Sequence, residues 1–250
     1  MKLQRSGILL SAVAGALMLG NAASAASISG QFNLNGTLQV TDTTINFDLK
    51  SGSFMPGDQL AAVNLPATGS FSGLAALDIV NIQDLNTATD TPGNTPFPTP
   101  HTNWITLDNG VNINLDLTEI PIDTSIAACV GGQSYAAGDQ CRANNGPIIL
   151  QQTATGVTAL LGLIGDAHAA GATSPLSPMV GKLAANFTVG GENTIESLLT
   201  TFASQGFITT GYQANFSVTP TSPIPEPSSF ALLGAGLLGL GFWGRKKATR

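Results

Sequence analysis

From Ile28 to Val40 the chain alternates without a fault. Ile28, Gly30, Phe32, Leu34, Gly36, Leu38 and Val40 fall on one side, and Ser29, Gln31, Asn33, Asn35, Thr37 and Gln39 on the other. Successive side chains of an extended strand point to opposite faces, so this period of two predicts a strand with one face buried and one wet. A helix would scatter the same apolar residues around its circumference. One-sided burial is the habit of antiparallel sheets, which pack one face and leave the other to solvent.

The pattern recurs. After a turn at Thr41–Thr44, Ile45, Phe47 and Leu49 alternate again and predict a hairpin. Trp104–Leu107 leads into Asp108-Asn109-Gly110, a strong turn signal, and Val111, Ile113, Leu115 and Leu117 return as a second hairpin. Leu183, Ala185, Phe187 and Val189 predict another strand, and Tyr212, Ala214, Phe216 and Val218 the last. Between the hairpins, residues 86–103 hold Pro92, Pro96, Pro98 and Pro100 and read as a loop. Two short helices are expected. Val157, Leu160, Leu161 and Ile164 have helical spacing, weakened by Gly162 and Gly165. Asn193 with Glu196 fits an N-terminal cap for a helix to about Ala203, ended near Gly206. These readings predict a mainly β body over residues 26–218. Its expected form is an antiparallel β-sandwich, with a jelly roll as one variant, carrying one or two short helices.

Charge narrows the partners. Only 10% of the residues are charged. Between residues 26 and 244 stand three cations, Lys50, Arg142 and Lys182, against all fifteen Asp and Glu. A body so acidic does not seek nucleic acid or anionic lipid, which need Lys and Arg clusters. The other cations lie at the two ends.

Each end reads as a signal. Lys2 and Arg5 precede the apolar run Gly7–Leu19, and Ala23-Ser24-Ala25 offers the small residues that signal peptidase accepts. Residues 1–25 are therefore expected to be a signal peptide cleaved after Ala25. At the other end, Thr219–Pro227 is a proline-rich linker containing Pro225-Glu226-Pro227. Residues 228–244 are expected to form a transmembrane sorting helix, and residues 245–250, with Arg245, Lys246, Lys247 and Arg250, a basic cytoplasmic tail. As a helix, Phe230–Gly244 would span about 23 Å, short of a hydrocarbon core of about 30 Å. Snorkelling of Arg245 and Lys246 closes much of that gap, and the basic cluster stays cytoplasmic by the positive-inside rule. A thin, glycine-rich helix suits brief retention better than permanent anchorage.

The order of Pro225-Glu226-Pro227, a short apolar helix and Arg245-Lys246-Lys247 resembles the PEP-CTERM sorting signal of Gram-negative bacteria. The resemblance covers about the last 27 residues. It implies that an exosortase, a membrane-embedded processing enzyme, recognises Pro225, Glu226 and Pro227 and cuts nearby. The body then passes from transient inner-membrane anchoring to the cell surface or medium. Such systems accompany exopolysaccharide production. Two prolines keep the segment extended and remove backbone donors, leaving Glu226 as the charge to read.

Catalytic signals are sparse. Cys129 and Cys141, with eleven residues between them in an exported chain, read as a disulfide. His101 follows Pro100 and reads as a solvated loop residue; His168 is expected to end the first short helix. In Gly69-Ser70-Phe71-Ser72-Gly73, Phe71 stands where a nucleophile elbow needs its serine. Asp84, Asn86 and Asp90 have oxygen ligands for Ca²⁺ but lack the loop's glycine, and a polar loop is the stronger reading. No cofactor is expected. The sequence reads as a non-enzymatic, structural or adhesive surface protein associated with exopolysaccharide. A secreted glycan-active enzyme is the alternative, and an ice-binding or other surface-binding protein a further one. The intact mass of protein recovered from the host envelope should begin at Ala26, and a mass retaining Met1 refutes cleavage.

Overall fold

The computed structural model describes residues 27–49, 59–172, 175–187 and 194–220. The expected signal peptide, residues 1–25, lies outside them, as do the Pro-Glu-Pro motif, the apolar segment 228–244 and the basic tail. Among the described residues there are twelve strands. They are β1 (Gly30–Thr41), β2 (Thr44–Asp48), β3 (Leu60–Asn64), β4 (Ile79–Ile82), β5 (Leu85–Asn86) and β6 (His101–Leu107). Then come β7 (Ile113–Glu119), β8 (Gln140–Arg142), β9 (Ile149–Gln152), β10 (Val157–Ala169), β11 (Ser177–Phe187) and β12 (Phe207–Val218). One α-helix, α1 (Ile195–Gln205), stands between β11 and β12.

Both predicted hairpins form. Val40 pairs with Ile45 across the β1–β2 turn, where Thr41 Oγ1 accepts from the backbone N–H of Thr44 at 3.0 Å. Leu107 pairs with Ile113 across the β6–β7 turn.

The strands run β11-β12-β1-β3-β4-β6-β7-β10, and β10 pairs back onto β11. Eight antiparallel strands, neighbours in chain order, thus close an up-and-down barrel. This corrects the expected sandwich. Alternation reports that each strand has one buried face, and a sandwich and a barrel both satisfy that. Closure is decided by β1 and β12, paired over their full lengths from Gly30↔Val218 to Thr41↔Phe207. No local pattern records that pairing. β2 and β3 share one edge of β1, so they occupy a single interrupted strand position.

The predicted helix at Val157–Ile164 is corrected as well: these residues lie in β10. Val157, Ala159, Leu161, Leu163 and Ala167 are buried and alternate with half-buried residues. Glycines at 162 and 165 weaken a helix, whereas the barrel supplies hydrogen-bonding partners on both edges of this segment. The second helix forms. Its capping box uses Thr194 with Ser197, the expected cap Asn193 lying outside the described residues, and Gly206 ends it in a left-handed turn (φ 76°).

A chain of rings fills the barrel's middle and the end near Gly30. Phe71 packs on Phe32 (4.7 Å between centroids), Phe32 on Phe216 (4.9 Å) and Phe216 on Trp104 (5.9 Å). Phe47 joins Trp104 (6.4 Å) to Tyr212 (5.4 Å). Two rings of β12 lie over glycines opposite them in register: Tyr212 over Gly36 and Phe216 over Gly181. A Cβ at Gly36 would come within 2.9 Å of the Tyr212 ring, and one at Gly181 within 2.6 Å of the Phe216 ring. Gly181→Ala should therefore cost about 1–3 kcal/mol by overpacking. Urea midpoints should show that adding Phe216→Leu costs less than the sum of the two single changes.

Candidate functional site

At the opposite end the filling changes. Ala159 and Ala185 face each other across the β10–β11 ladder. A chamber of about 400 Å³ opens there. Its floor is Leu38, Leu161 and Leu183; its walls include Val40, Ile45 and Leu85. The helix α1 contributes Leu198, Leu199 and Phe202, the i, i+1 and i+4 members of its apolar stripe. Ile195 begins that stripe, and its N–H donates to Gln152 Oε1 at 3.0 Å, which ties the helix to β9. Ile120, Ile122 and Ile148 enter from the segment joining β7 to β9.

That segment leaves the barrel wall because β9 takes the first part of β10's edge and β7 the rest. It carries the expected disulfide, Cys129–Cys141 (S–S 2.06 Å), with Cys141 buried on β8. The bridge ties the excursion back to the strand beside the chamber.

The mouth is polar. Thr41 and Thr44 share a hydroxyl hydrogen bond of 2.8 Å, and Asp42, Thr43 and Asn144 are exposed at the rim. Asp90, only 3% exposed, anchors the loop beside them. Its Oδ2 accepts from the backbone N–H of Asn86 at 2.9 Å, and its Oδ1 lies 3.0 Å from His101 Nδ1. His101 Nε2 is 2.9 Å from Gln83 Oε1, and Trp104 Nε1 donates to Gln83 O at 3.0 Å. His101 thus opens β6 with both ring nitrogens engaged, which corrects the reading of a solvated loop residue. Burial pushes the Asp90 carboxyl up, but hydrogen bonds from His101 and Asn86 outweigh it and hold the group below its ordinary value.

Asp84 and Asp90 do not converge. Asp84 accepts from the Phe47 N–H at 2.8 Å, and Asn86 Oδ1 from the Ala88 N–H at 2.9 Å. Asp84 is thus tied to β2 and, through its other oxygen, to the Gln59 side chain at 3.4 Å, while Asn86 serves its own loop. Among the described residues no group of three or more His, Cys, Asp or Glu is gathered as for a metal ion. Phe71 is a core residue, and the Ser70 hydroxyl accepts from the Ser29 N–H at 3.1 Å.

A second polar group sits on the outer wall. Asp116 of β7 and Asp166 of β10 are cross-strand partners, and His168 Nε2 is 3.3 Å from Asp116 Oδ1. The Asn103 N–H donates to the same oxygen at 2.7 Å. His168 therefore lies on a strand, which corrects its place at a helix end. Partial burial raises the Asp166 carboxyl, the Asp116 charge raises it further, and His168 works against both. Strand parity from Val157 onward places Asp166 and His168 on one face; that was the signal available in the sequence.

The body is thus a closed antiparallel barrel with an apolar chamber under a helix, and its chain carries a tail for sorting. Residues 223–246 match the PEP-CTERM protein-sorting motif. The motif implies export, processing by an exosortase and sorting to the cell surface. The match covers the tail alone, and no curated protein and no solved structure matches the chain.

The two perturbed carboxylates should respond oppositely to neutralisation. Asp90, depressed from 3.8, stabilises the fold at neutral pH, and that stability is lost as pH falls through its folded value. Asp166, raised from 3.8, favours the fold in acid, and this is lost as pH rises through its folded value. Asp90→Asn should lower the urea midpoint at about pH 7 and Asp166→Asn should raise it, with both differences shrinking toward about pH 3.

Proposed function

We propose that the body is a non-enzymatic surface protein that serves, once its tail is processed, as a structural or adhesive component of an exopolysaccharide matrix. The observation that carries this reading is the sorting motif at residues 223–246. The chemistry of the outer wall supports it. Exposed Gln31, Gln213 and Asn215 lie on the adjoining faces of β1 and β12, and Lys182, Asn215 and Asn33 form one row across three strands. Asn215 Nδ2 donates to Asn33 Oδ1 at 2.6 Å, which holds the amides of that row in place. Fixed amides on a sheet surface suit hydroxyl-rich chains, to which they both donate and accept.

A glycan-active enzyme is the second reading, favoured by one observation. Asp116 and Asp166 stand side by side, and Asp166 resists ionisation. A protonated acid beside a carboxylate is the pairing that glycoside hydrolysis uses. Here it faces outward from the wall instead of lining the chamber.

The sorting step is tested by intact mass of wild type beside a Pro225→Ala, Glu226→Ala, Pro227→Ala variant. The wild type should lose its tail, and the variant should keep it in the inner membrane. If both keep it, the segment is an ordinary anchor and the matrix reading loses its support. The partner is tested by co-sedimentation with the host's purified exopolysaccharide. Wild-type protein should pellet, and a Gln31→Ala, Gln213→Ala, Asn215→Ala variant should stay in solution. Failure of the wild type to pellet refutes the adhesive role, and release of sugars that depends on Asp166 establishes the enzyme instead.

A further inference from the structure

We propose that the chamber beneath α1 binds one neutral, aliphatic, lipid-like molecule, with its chain among the leucines and its polar end at the threonine and asparagine rim. The proposal does not depend on the matrix reading.

The space belongs to the barrel's design. In the barrel's middle two glycines are each met by a ring on the next strand: Gly36 by Tyr212 and Gly181 by Phe216. At this end two small residues adjoin on one ladder, Ala159 and Ala185, with Leu150 and Tyr212 as their partners on the outer edges. The volume of about 400 Å³ far exceeds the rare water-sized voids of packed interiors. It falls within the range of about 300–1,000 Å³ typical of small-molecule sites. An eight-strand barrel is wide enough to be filled by side chains or to hold one small ligand. Here one end does the first and the other end is shaped for the second.

The lining selects the ligand. The floor is leucine, and the roof is the half-buried pair Leu199 and Phe202. Among the described residues neither Lys nor Arg lines the chamber, and the charged side chains there are Asp42 and Asp90. A carboxylate or phosphate headgroup would meet two acids and no cation, a costly arrangement at low dielectric. Asp90 is already committed to Asn86 and His101, so it is not waiting for an ammonium. A hydroxyl or ester suits the rim, where Thr41, Thr43, Thr44 and Asn144 offer donors and acceptors without net charge. Access exists because the lining runs from exposed Asp42, Thr43 and Asn144 to buried Leu161.

The test uses the purified chain and the neutral fluorophore N-phenyl-1-naphthylamine, with competitors kept below their aggregation concentrations. The fluorophore should bind saturably at one site per chain. Dodecan-1-ol should displace it, and dodecanoate at neutral pH should compete at least about ten-fold less well. Ala159→Phe fills the space between the strands and should weaken fluorophore binding at least about ten-fold, with the thermal transition retained. Leu199→Asp places a charge on the half-exposed roof and should do the same, so it reads the site even if Ala159→Phe fails to fold. Absence of saturable binding by the folded wild type overturns the site, as does unchanged binding in Leu199→Asp. Equal competition by dodecanoate overturns the choice of a neutral ligand.

Discussion

Tyr212 and Phe216 project from β12 onto Gly36 and Gly181, glycines in the strands on either side of it. Each ring needs the missing side chain opposite. A slip of one residue would turn both rings outward and every apolar neighbour with them, so the contacts fix β12's register against β1 and β11 together. That double registration joins the first strand of the body to its last. With β10 paired to β11, it closes the sheet and removes the free edges that an open sheet would expose.

The same economy of large against small explains why the barrel's two ends differ. Near Gly30, Phe71 arrives on a short turn held to β1 by hydrogen bonds from Thr68 to Gln31 and from Ser70 to Ser29, and it completes the ring stack. Toward Thr41, the paired alanines Ala159 and Ala185 leave a gap that α1 roofs but does not fill. The proline-bearing loop before β6 is held at the rim by Asp90 through His101 and Asn86. The loop is also tied to the β7 region by N–H bonds from Gly93 and Phe97 to the carbonyls of Ile120 and Thr118, and it buries Phe97. The helix α1 is held by its buried apolar stripe, whereas the barrel wall is set by long ladders.

Address and body are separate pieces of chemistry on one chain. The tail's motif speaks to export and processing. The body offers two surfaces of opposite character: an amide-rich outer wall over β11, β12 and β1, and an apolar interior chamber. Closure makes both possible, because a strand with alternating residues must present one set to solvent and the other to the lumen.

The strands of both hairpins, the last strand and the second helix were legible in the sequence, because alternation and capping are local and each residue's neighbours suffice to produce them. So was the Cys129–Cys141 bridge, since the chain has one pair and an exported context. The tail could be read because its motif is contiguous. Where local signals conflicted, they misled: the leucines of 157–164 fit a helix until partners on both edges made them a strand. The sequence alone thus determined that the hairpin strands and the last strand extend, which face of each is apolar, and the sorting tail. The tertiary structure alone decided that the sheet closes into a barrel, that Ala159 meets Ala185 and that His101 meets Asp90. Those outcomes rest on contacts between residues far apart in the chain, and their energy belongs to the pairing of strands and not to any one segment.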